Sequence, residues 1–416
     1  MSRLVAVVAP ARFGTGFRWL LASSWATNLG DGIAVASGPL LVASVTDDAF
    51  LISLAALLRW APPLLFGLSA GVISDRADRR RIILVADGVR AVLLVALTAM
   101  VVTGGVPVGA VLFALGLLAT AEVFADNASA TVLPMLVHRD DLATANARLQ
   151  TGFITLNQLL GPAIGAALFA AGRASPFAAE AALAAMGVLL VSRVALPAHG
   201  RDPATRGSVR RDVVDGLRWT LRHPAVRTLA LTILIFNITY GAAWSVLVIY
   251  ASERLGMGPV GFGLLSTVSA AGGLLGTAMY GWITRRVSLG NVMRVGLVIE
   301  TFTHLGLAVT TVPVIASVIF FVFGAHAFIW GTTSTTVRQR AVPSEFQGRV
   351  GSLYVMCVYG GLVVGSAIGG TLAARIGVTA PFWFAFAGSA VFLVALWRQL
   401  TLIAHTDAPT HRPTPA

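Results

Sequence analysis

The chain reads as an all-α polytopic membrane protein, with about twelve transmembrane helices in two pseudo-symmetric six-helix bundles. Three observations predict this. Charged residues make up 12% of the 416 and hydrophobic residues 56%, with a mean hydropathy of +0.81. Soluble domains carry about 25% charged residues. Apolar runs long enough to cross a bilayer as helix follow one another along the chain. The second half also repeats the first, weakly, at a nearly constant offset.

Length and hydropathy place the spans at 17–45, 50–74, 82–103, 106–128, 150–171, 176–197, 226–251, 260–283, 291–311, 314–336, 350–374 and 379–402. An even number of spans puts both ends on one side. Net charge is +12, and all 30 cationic residues are Arg. Arg3, Arg12 and Arg18 mark the front end as cytoplasmic, and Arg398 and Arg412 agree at the back. The outer loops near Thr46–Phe50, Gly104–Val106, Gly172–Ser175 and Thr311–Pro313 are short and hold only Arg173. The positive charge therefore reads as membrane topology, and no nucleic-acid partner is expected. Met1 to Phe17 lacks a cleavage site followed by a soluble domain, so no removed signal peptide is expected.

The longest polar segment, Ala198 to Arg227, contains seven arginines, from Arg201 to Arg227. In its second part, Val213, Val214, Leu217 and Leu221 recur at helical spacing. This predicts an amphipathic helix over 209–222, lying along the cytoplasmic face. The expected division is a bundle over 1–197, a cytoplasmic linker over 198–225, a second bundle over 226–402 and a cytoplasmic tail over 403–416. The halves echo each other. Ser129-Ala-Thr-Val132 matches Ser334-Thr-Thr-Val337, Gly161-Pro-Ala-Ile-Gly165 matches Gly365-Ser-Ala-Ile-Gly369, and Gly71 matches Gly281. Two homologous halves with a site at their interface are the plan of a transporter.

Between the second and third spans stands Gly71-Val-Ile-Ser-Asp75-Arg76-Ala-Asp-Arg79-Arg80-Arg81. So many arginines cannot stay in hydrocarbon, and the loop must lie at a cytoplasmic surface. Gly71 permits close approach of two helix ends. Asp75 can accept hydrogen bonds from a neighbouring helix N-terminus. This stretch resembles the signature loop of the major facilitator superfamily, Gly-x-x-x-Asp-Arg-x-Gly-Arg-Arg. Gly71, Asp75, Arg76, Arg79 and Arg80 match it, and Asp78 stands where the pattern has its inner Gly. The variant resembles the branch that holds siderophore and macrolide exporters. The resemblance implies two bundles, alternating access, and a cavity lined by the first, fourth, seventh and tenth spans. It also implies export of a drug, antibiotic or siderophore-like molecule. Asp126, level with the arginine loop, would pair with Arg79 or Arg80 as part of a cytoplasmic gate.

Small residues mark helix contacts. Gly161, Pro162 and Gly165 lie in the fifth span, and Gly361, Gly365 and Gly369 form one stripe in the eleventh. Gly272 and Gly276 do likewise in the eighth. The fifth-span run also resembles, in part, a motif of drug–proton antiporters, with Ala166 in place of its last Gly.

No nucleotide-binding or catalytic pattern appears. A Walker motif needs a Lys, and the only cysteine, Cys357, sits in an apolar run. No enzyme activity, cofactor or metal is expected. Transport must then use an ion gradient or run downhill, which makes intramembrane charges informative. Asp31 stands near mid-depth of the first span. Arg59 in the second span lies at the same level, so an Asp31–Arg59 pair is expected, formed and broken during proton exchange. Glu122 and Asp126 share one helical face of the fourth span, and Glu122 could exchange protons. Asn237, Tyr240 and Trp244 fall on one face of the seventh span, and His326 and Trp330 lie in the tenth. These five are the expected cavity wall, with plain packing as the bland reading. Glu300 and His304 read as a self-satisfying pair, and Asp87 with Arg90 as an anchor near the interface.

The sequence thus predicts a monomeric secondary transporter in the bacterial inner membrane. It would export a hydrophobic or amphiphilic small molecule in exchange for protons. Uptake or facilitated diffusion by the same fold, or a non-transporting membrane sensor or assembly protein, are the alternatives.

Overall fold

The computed structural model describes residues 11–195, 209–343 and 346–400. The start of the linker, the expected 403–416 tail, and Arg3 and Arg412 lie outside the described residues. Among the described residues thirteen main helices follow in order, beside a few short helical turns: α1 Gly14–Ala43, α2 Ala49–Arg76, α3 Arg79–Thr103 and α4 Val108–Leu136. Next is α5, built of Leu142–Gly152, a π-helical stretch Phe153–Leu160, and Gly161–Ala171. After α6, Ser175–Val191, comes the linker helix α7, Val209–Arg222. The second half has α8 Pro224–Trp244, α9 Pro259–Thr284, α10 Leu289–Val309, α11 Pro313–Ala341, α12 Gln347–Ile376 and α13 Ala380–Leu396. No strand occurs among the described residues.

Local chemistry explains the helix ends. Asp48 accepts from the amides of Phe50 and Leu51 at the start of α2, Asp78 from that of Arg81 in α3, and Ser288 from that of Asn291 in α10. Proline opens α6, α8, α9, α11 and α13, where its missing N–H is not needed. Gly104, in the left-handed region at φ 79°, ends α3.

Among the described residues, nine helices are long and apolar enough to cross a membrane, counting 139–171 as one. Ser175–Val191 and Ala380–Leu396 are apolar but shorter. The thirty-residue α1 joins them in length, though it carries Arg18 and Asp31. Apolar surface faces both lipid and core in such a protein, so close packing rather than hydrophobicity selects the contacts. A Cβ on Gly272 would stand 1.9 Å from the carbonyl of Phe321, and one on Gly324 1.8 Å from that of Ser269, which is how α9 meets α11. Gly361, Gly365 and Gly369 press α12 onto α8 at the carbonyls of Leu234, Ile238 and Ala242. Gly161 and Gly165 press α5 onto α1 at Gly32 and Ile33. The carbonyl of Pro162 lies where a Cβ on Gly263 of α9 would stand.

Within the first half, α1 packs on α5 and α6, α2 on α4, and α3 on α4 and α6. Within the second, α8 packs on α12 and α13, α9 on α11, and α10 on α11 and α13. The halves meet through α2 on α12 and α5 on α9. At the end away from the arginine loop they share one core, with Leu41, Val42 and Phe177 beside Val246, Tyr250 and Phe320. At the arginine end the cores are separate. Phe17, Ile83 and Val132 form one, and Leu229, Met293 and Val337 the other. The cleft between the halves therefore opens toward the arginine end. The linker helix α7 seats Gly216 against the backbone of Arg349 and stacks Trp219 on Phe346, 5.4 Å between centroids.

Candidate functional site

The first half holds a buried polar cluster. Asp31 of α1 and Asp87 of α3 both bind Arg90 of α3. Nη2 of Arg90 donates to Oδ1 of Asp31, and Nη1 reaches Oδ1 of Asp87 at 3.3 Å. All three side chains are at most 10% exposed. Nε of Arg90 is buried without a hydrogen-bond partner. Glu180 of α6 is also buried, and its Oε1 accepts from Ser37 of α1 at 2.8 Å. Glu122 and Asp126 of α4 lie within electrostatic range of Arg90 and Asp31. They also lie within range of Tyr359 on α12, in the opposite half. Glu122 is half-buried and Asp126 exposed, so this pair forms the acidic side of the cleft.

The expected Asp31–Arg59 pair is not formed. Arg59 sits at the level of Asp31 but points the other way. Its guanidinium lies over Trp60, 5.3 Å from the ring centroid, and Trp60 meets Tyr359 at 6.1 Å. Depth along a helix fixes a residue's level and leaves its azimuth open. Arg90, expected as an interfacial anchor, is instead the central cation of the cluster. Glu180 was not singled out, although a lone charge in a seventeen-residue apolar helix is a usable signal.

The arginine loop also differs from expectation. Arg79 donates to the carbonyl of Ser74 and to Sδ of Met135. Arg80 donates to the carbonyls of Val191 and Ser192, at the end of α6. Among the described ion pairs, neither arginine meets Asp126. Carbonyls at a helix C-terminus have no intrahelical donor and attract these guanidinium groups. Arg76 is exposed. Open space surrounds the Cβ position of Gly71, so the close approach expected there is absent with the cleft open at this end. The side chain of Asp75 lies outside those described.

In the second half, aromatic rings form a ladder. Trp330 stacks on Phe236 at 5.8 Å, Phe236 on Tyr240 at 6.2 Å, and Tyr240 on Trp244 at 4.4 Å. Phe236, Tyr240 and Trp244 are half-buried. The other expected wall residues lie deeper. Asn237 is buried against Gly361 at the α8–α12 crossing and donates to the carbonyl of Ile233. His326 and Trp330 are buried against Gly296 of α10. Small residues on the facing helices draw these side chains inward, which spacing along one helix cannot show.

A family model described as transmembrane secretion effector matches residues 5–414. The chain belongs to this family. It is a branch of the major facilitator superfamily, whose members are membrane transporters and not enzymes. Among curated relatives, the chain is 24% identical over 361 residues to macrolide efflux protein A of Streptococcus pyogenes, covering 84% of this chain and 87% of that one. It is 27% identical over 383 residues to the multidrug efflux pump Tap of Mycolicibacterium fortuitum, covering 87% and 90%. The enterobactin exporter EntS of Escherichia coli is 25% identical over 352 residues, covering 83% and 81%. Solved structures share the fold. A variant of the nucleoside transporter NupG superposes with a TM-score of 0.75 at 13% identity, covering 94% of this chain and all of that one. An inward-facing bacterial homologue of ferroportin gives 0.73 at 16% identity, covering 93% and 98%. As a member of this superfamily, the protein is a multi-pass membrane transporter of a small molecule.

Proposed function

We propose that this transporter exports an amphiphilic small molecule, of the drug or siderophore kind, across the bacterial inner membrane in exchange for protons. The observation that carries the proton reading is the charge count around Arg90. Five carboxyls (Asp31, Asp87, Glu122, Asp126 and Glu180) surround one guanidinium. An excess of carboxyls over cations in a low-dielectric setting is relieved when the cluster takes up a proton, which is the reason for reading it as the coupling site. Its open members face the cleft, where an alternating-access cycle exposes them to each side in turn. The names of the relatives support export of drug-like and siderophore cargo. The aromatic ladder opposite the carboxylates suits an amphiphile that is apolar with a cationic group.

In this reading the protein works as a monomer with both termini in the cytoplasm, and the arginine loop faces that side. Gly71 and Asp75, with Arg76, Arg79, Arg80 and Asp126, form the gate that closes there when the cleft turns outward. Alternating access then moves the two bundles about the linker over 198–225.

The test is Asp31→Asn. Asparagine keeps the shape and an acceptor for Arg90, which retains Asp87 as its charged partner, so the fold should persist. Concentrative efflux of a macrolide from proteoliposomes with an imposed pH gradient should be lost, while macrolide binding remains. If the variant still concentrates the macrolide against its gradient, Asp31 is structural, and Glu122 becomes the residue to examine.

A further inference from the structure

The second half contains a second buried titratable cluster that the reading above does not use. Glu300 and His304 lie one turn apart on α10, and His326 faces them from α11. Nε2 of His304 is 2.9 Å from Oε1 of Glu300, and Nε2 of His326 is 3.6 Å from Oε2. Exposure of these side chains is at most 2%. Oε2 of Glu300 and Nε2 of His326 face each other, and neither has a hydrogen-bond partner. Nδ1 of His304 and Nε1 of Trp330 are buried without a partner as well.

Among the described ion pairs no arginine meets this carboxylate. On α10 itself, Arg294 stacks on Trp397 and donates to its carbonyl, nearer the arginine end. At the far end, Arg254 donates to the carbonyls of Val309 and Thr310. From α8, Tyr240 comes within electrostatic range, and Tyr250, in the short π-helical stretch Tyr250–Arg254 before α9, donates to the carbonyl of Leu307. On α11 the other charged residues, Arg338 and Arg340, stand in the last turn. Of the remaining neighbours, α13 carries no titratable side chain over Ala380–Leu396, and α9, packed on α11, carries only Tyr280 over Pro259–Thr284, whose hydroxyl accepts from Thr333. Among the described residues no three such side chains adopt a metal-holding arrangement. Among the described residues only the two imidazoles stand beside Glu300, and either could compensate it by carrying a proton. A buried carboxylate without that proton would be an uncompensated charge.

The cluster sits directly behind the aromatic ladder. His304 meets the Trp244 ring edge-on at 6.0 Å, and His326 meets Phe236 at 6.4 Å and Phe323 at 6.1 Å. We propose that Glu300, His304 and His326 form a second proton-binding site of the transporter, within the second bundle, whose proton count is felt by the aromatic wall of the cleft. With one proton the trio is neutral. A second proton, on the other imidazole, places a net positive charge behind Trp244 and Tyr240 and weakens the wall's hold on a cation. Moving α11 toward α10 by about 0.7 Å would bring His326 to ordinary hydrogen-bond distance of Glu300, which ties proton occupancy to the position of α11. This site is independent of Asp31 and of which amphiphile is carried.

A protonated imidazole quenches a neighbouring indole, so the site can be read without substrate. Tryptophan fluorescence of the purified full chain in detergent is titrated from about pH 5 to 9, the range in which histidine changes charge. Wild type and Asp31→Asn should both show a transition. With His223, which stacks on Trp219 at 3.9 Å, replaced by Gln in every protein compared, single His304→Gln and His326→Gln variants should lose or strongly reduce it. Trp244→Phe, which leaves the trio intact, should reduce its amplitude and so covers the case in which a histidine variant misfolds. A flat wild-type signal overturns the proposal. So does a transition unchanged in the folded histidine variants or in Trp244→Phe. A failure of Asp31 in the efflux assay leaves this titration untouched, so the two readings stand or fall separately.

Discussion

Arg59 and Arg90 show where a single side chain outruns the pattern around it. Arg59 has the right depth to meet Asp31, but it is spent on Trp60 and faces Tyr359 of the other half. Arg90 stands at a similar depth in α3 and is turned toward Asp31, which it meets directly. Arg59→Ala should therefore leave the pH profile of efflux where it is in wild type, while changing the apparent KM for a macrolide. An efflux assay over a range of pH, at equal expression, checks this. Arg90→Ala should behave differently, because it strands Asp31 and Asp87 without a cation. Breaking a buried pair typically costs about 3–5 kcal/mol, so a large fall in the melting temperature of the detergent-solubilised protein is expected. The polar inventory of the site was legible in the sequence, because charges in apolar runs stand out. The partners were not, because they depend on the rotation of each helix about its own axis.

At the level of helices, the glycine positions carried more information than hydropathy. Lipid and protein interior are equally apolar, so the hydrophobic pattern does not say which face meets a neighbour. Glycine does, since it lets backbones touch. The stripe Gly361, Gly365 and Gly369 and the pair Gly272 and Gly276 were readable as contact faces. Which helix lies opposite was not, and neither was the π-helical stretch in α5, which leaves no compositional mark. The contacts predict a contrast. Gly272→Ala would force a methyl group into the carbonyl of Phe321 and should destabilise by about 1–3 kcal/mol. Gly331→Ala meets open space and should be neutral, or stabilising by up to about 1 kcal/mol through helix propensity. Thermal melts of both variants in detergent make the comparison.

For the molecule as a whole, the cleft opens at one end because the two halves share a core only at the other. Ser53 of α2 lies against Gly370 of α12 in that shared region, with its Cβ 2.6 Å from where a glycine Cβ would stand. In a Cys357→Ser background, Ser53→Cys with Gly370→Cys should cross-link on mild oxidation after a small backbone adjustment. Macrolide efflux should then stop, and a reductant should restore it. Unimpaired efflux by the cross-linked protein would show that this end need not part. The two-bundle plan was legible from the repeat and the even number of spans. The open direction of the cleft was not, because a transporter sequence must suit both states equally well.

The seam between the halves has one more consequence. Among the described residues no ion pair crosses it, and a single side-chain hydrogen bond does, from Thr267 of α9 to the carbonyl of Leu159 in the π-helical stretch of α5. Such a bond contributes about 0.5–1.5 kcal/mol. The other described contacts across the seam are packing contacts, such as Ser53 on Gly370 and Trp60 against Tyr359. In mechanical terms it is a plain bearing with one light detent. Among the described ion pairs none would have to be unmeshed and rehydrated at each stroke, so rotation across the described seam meets little friction.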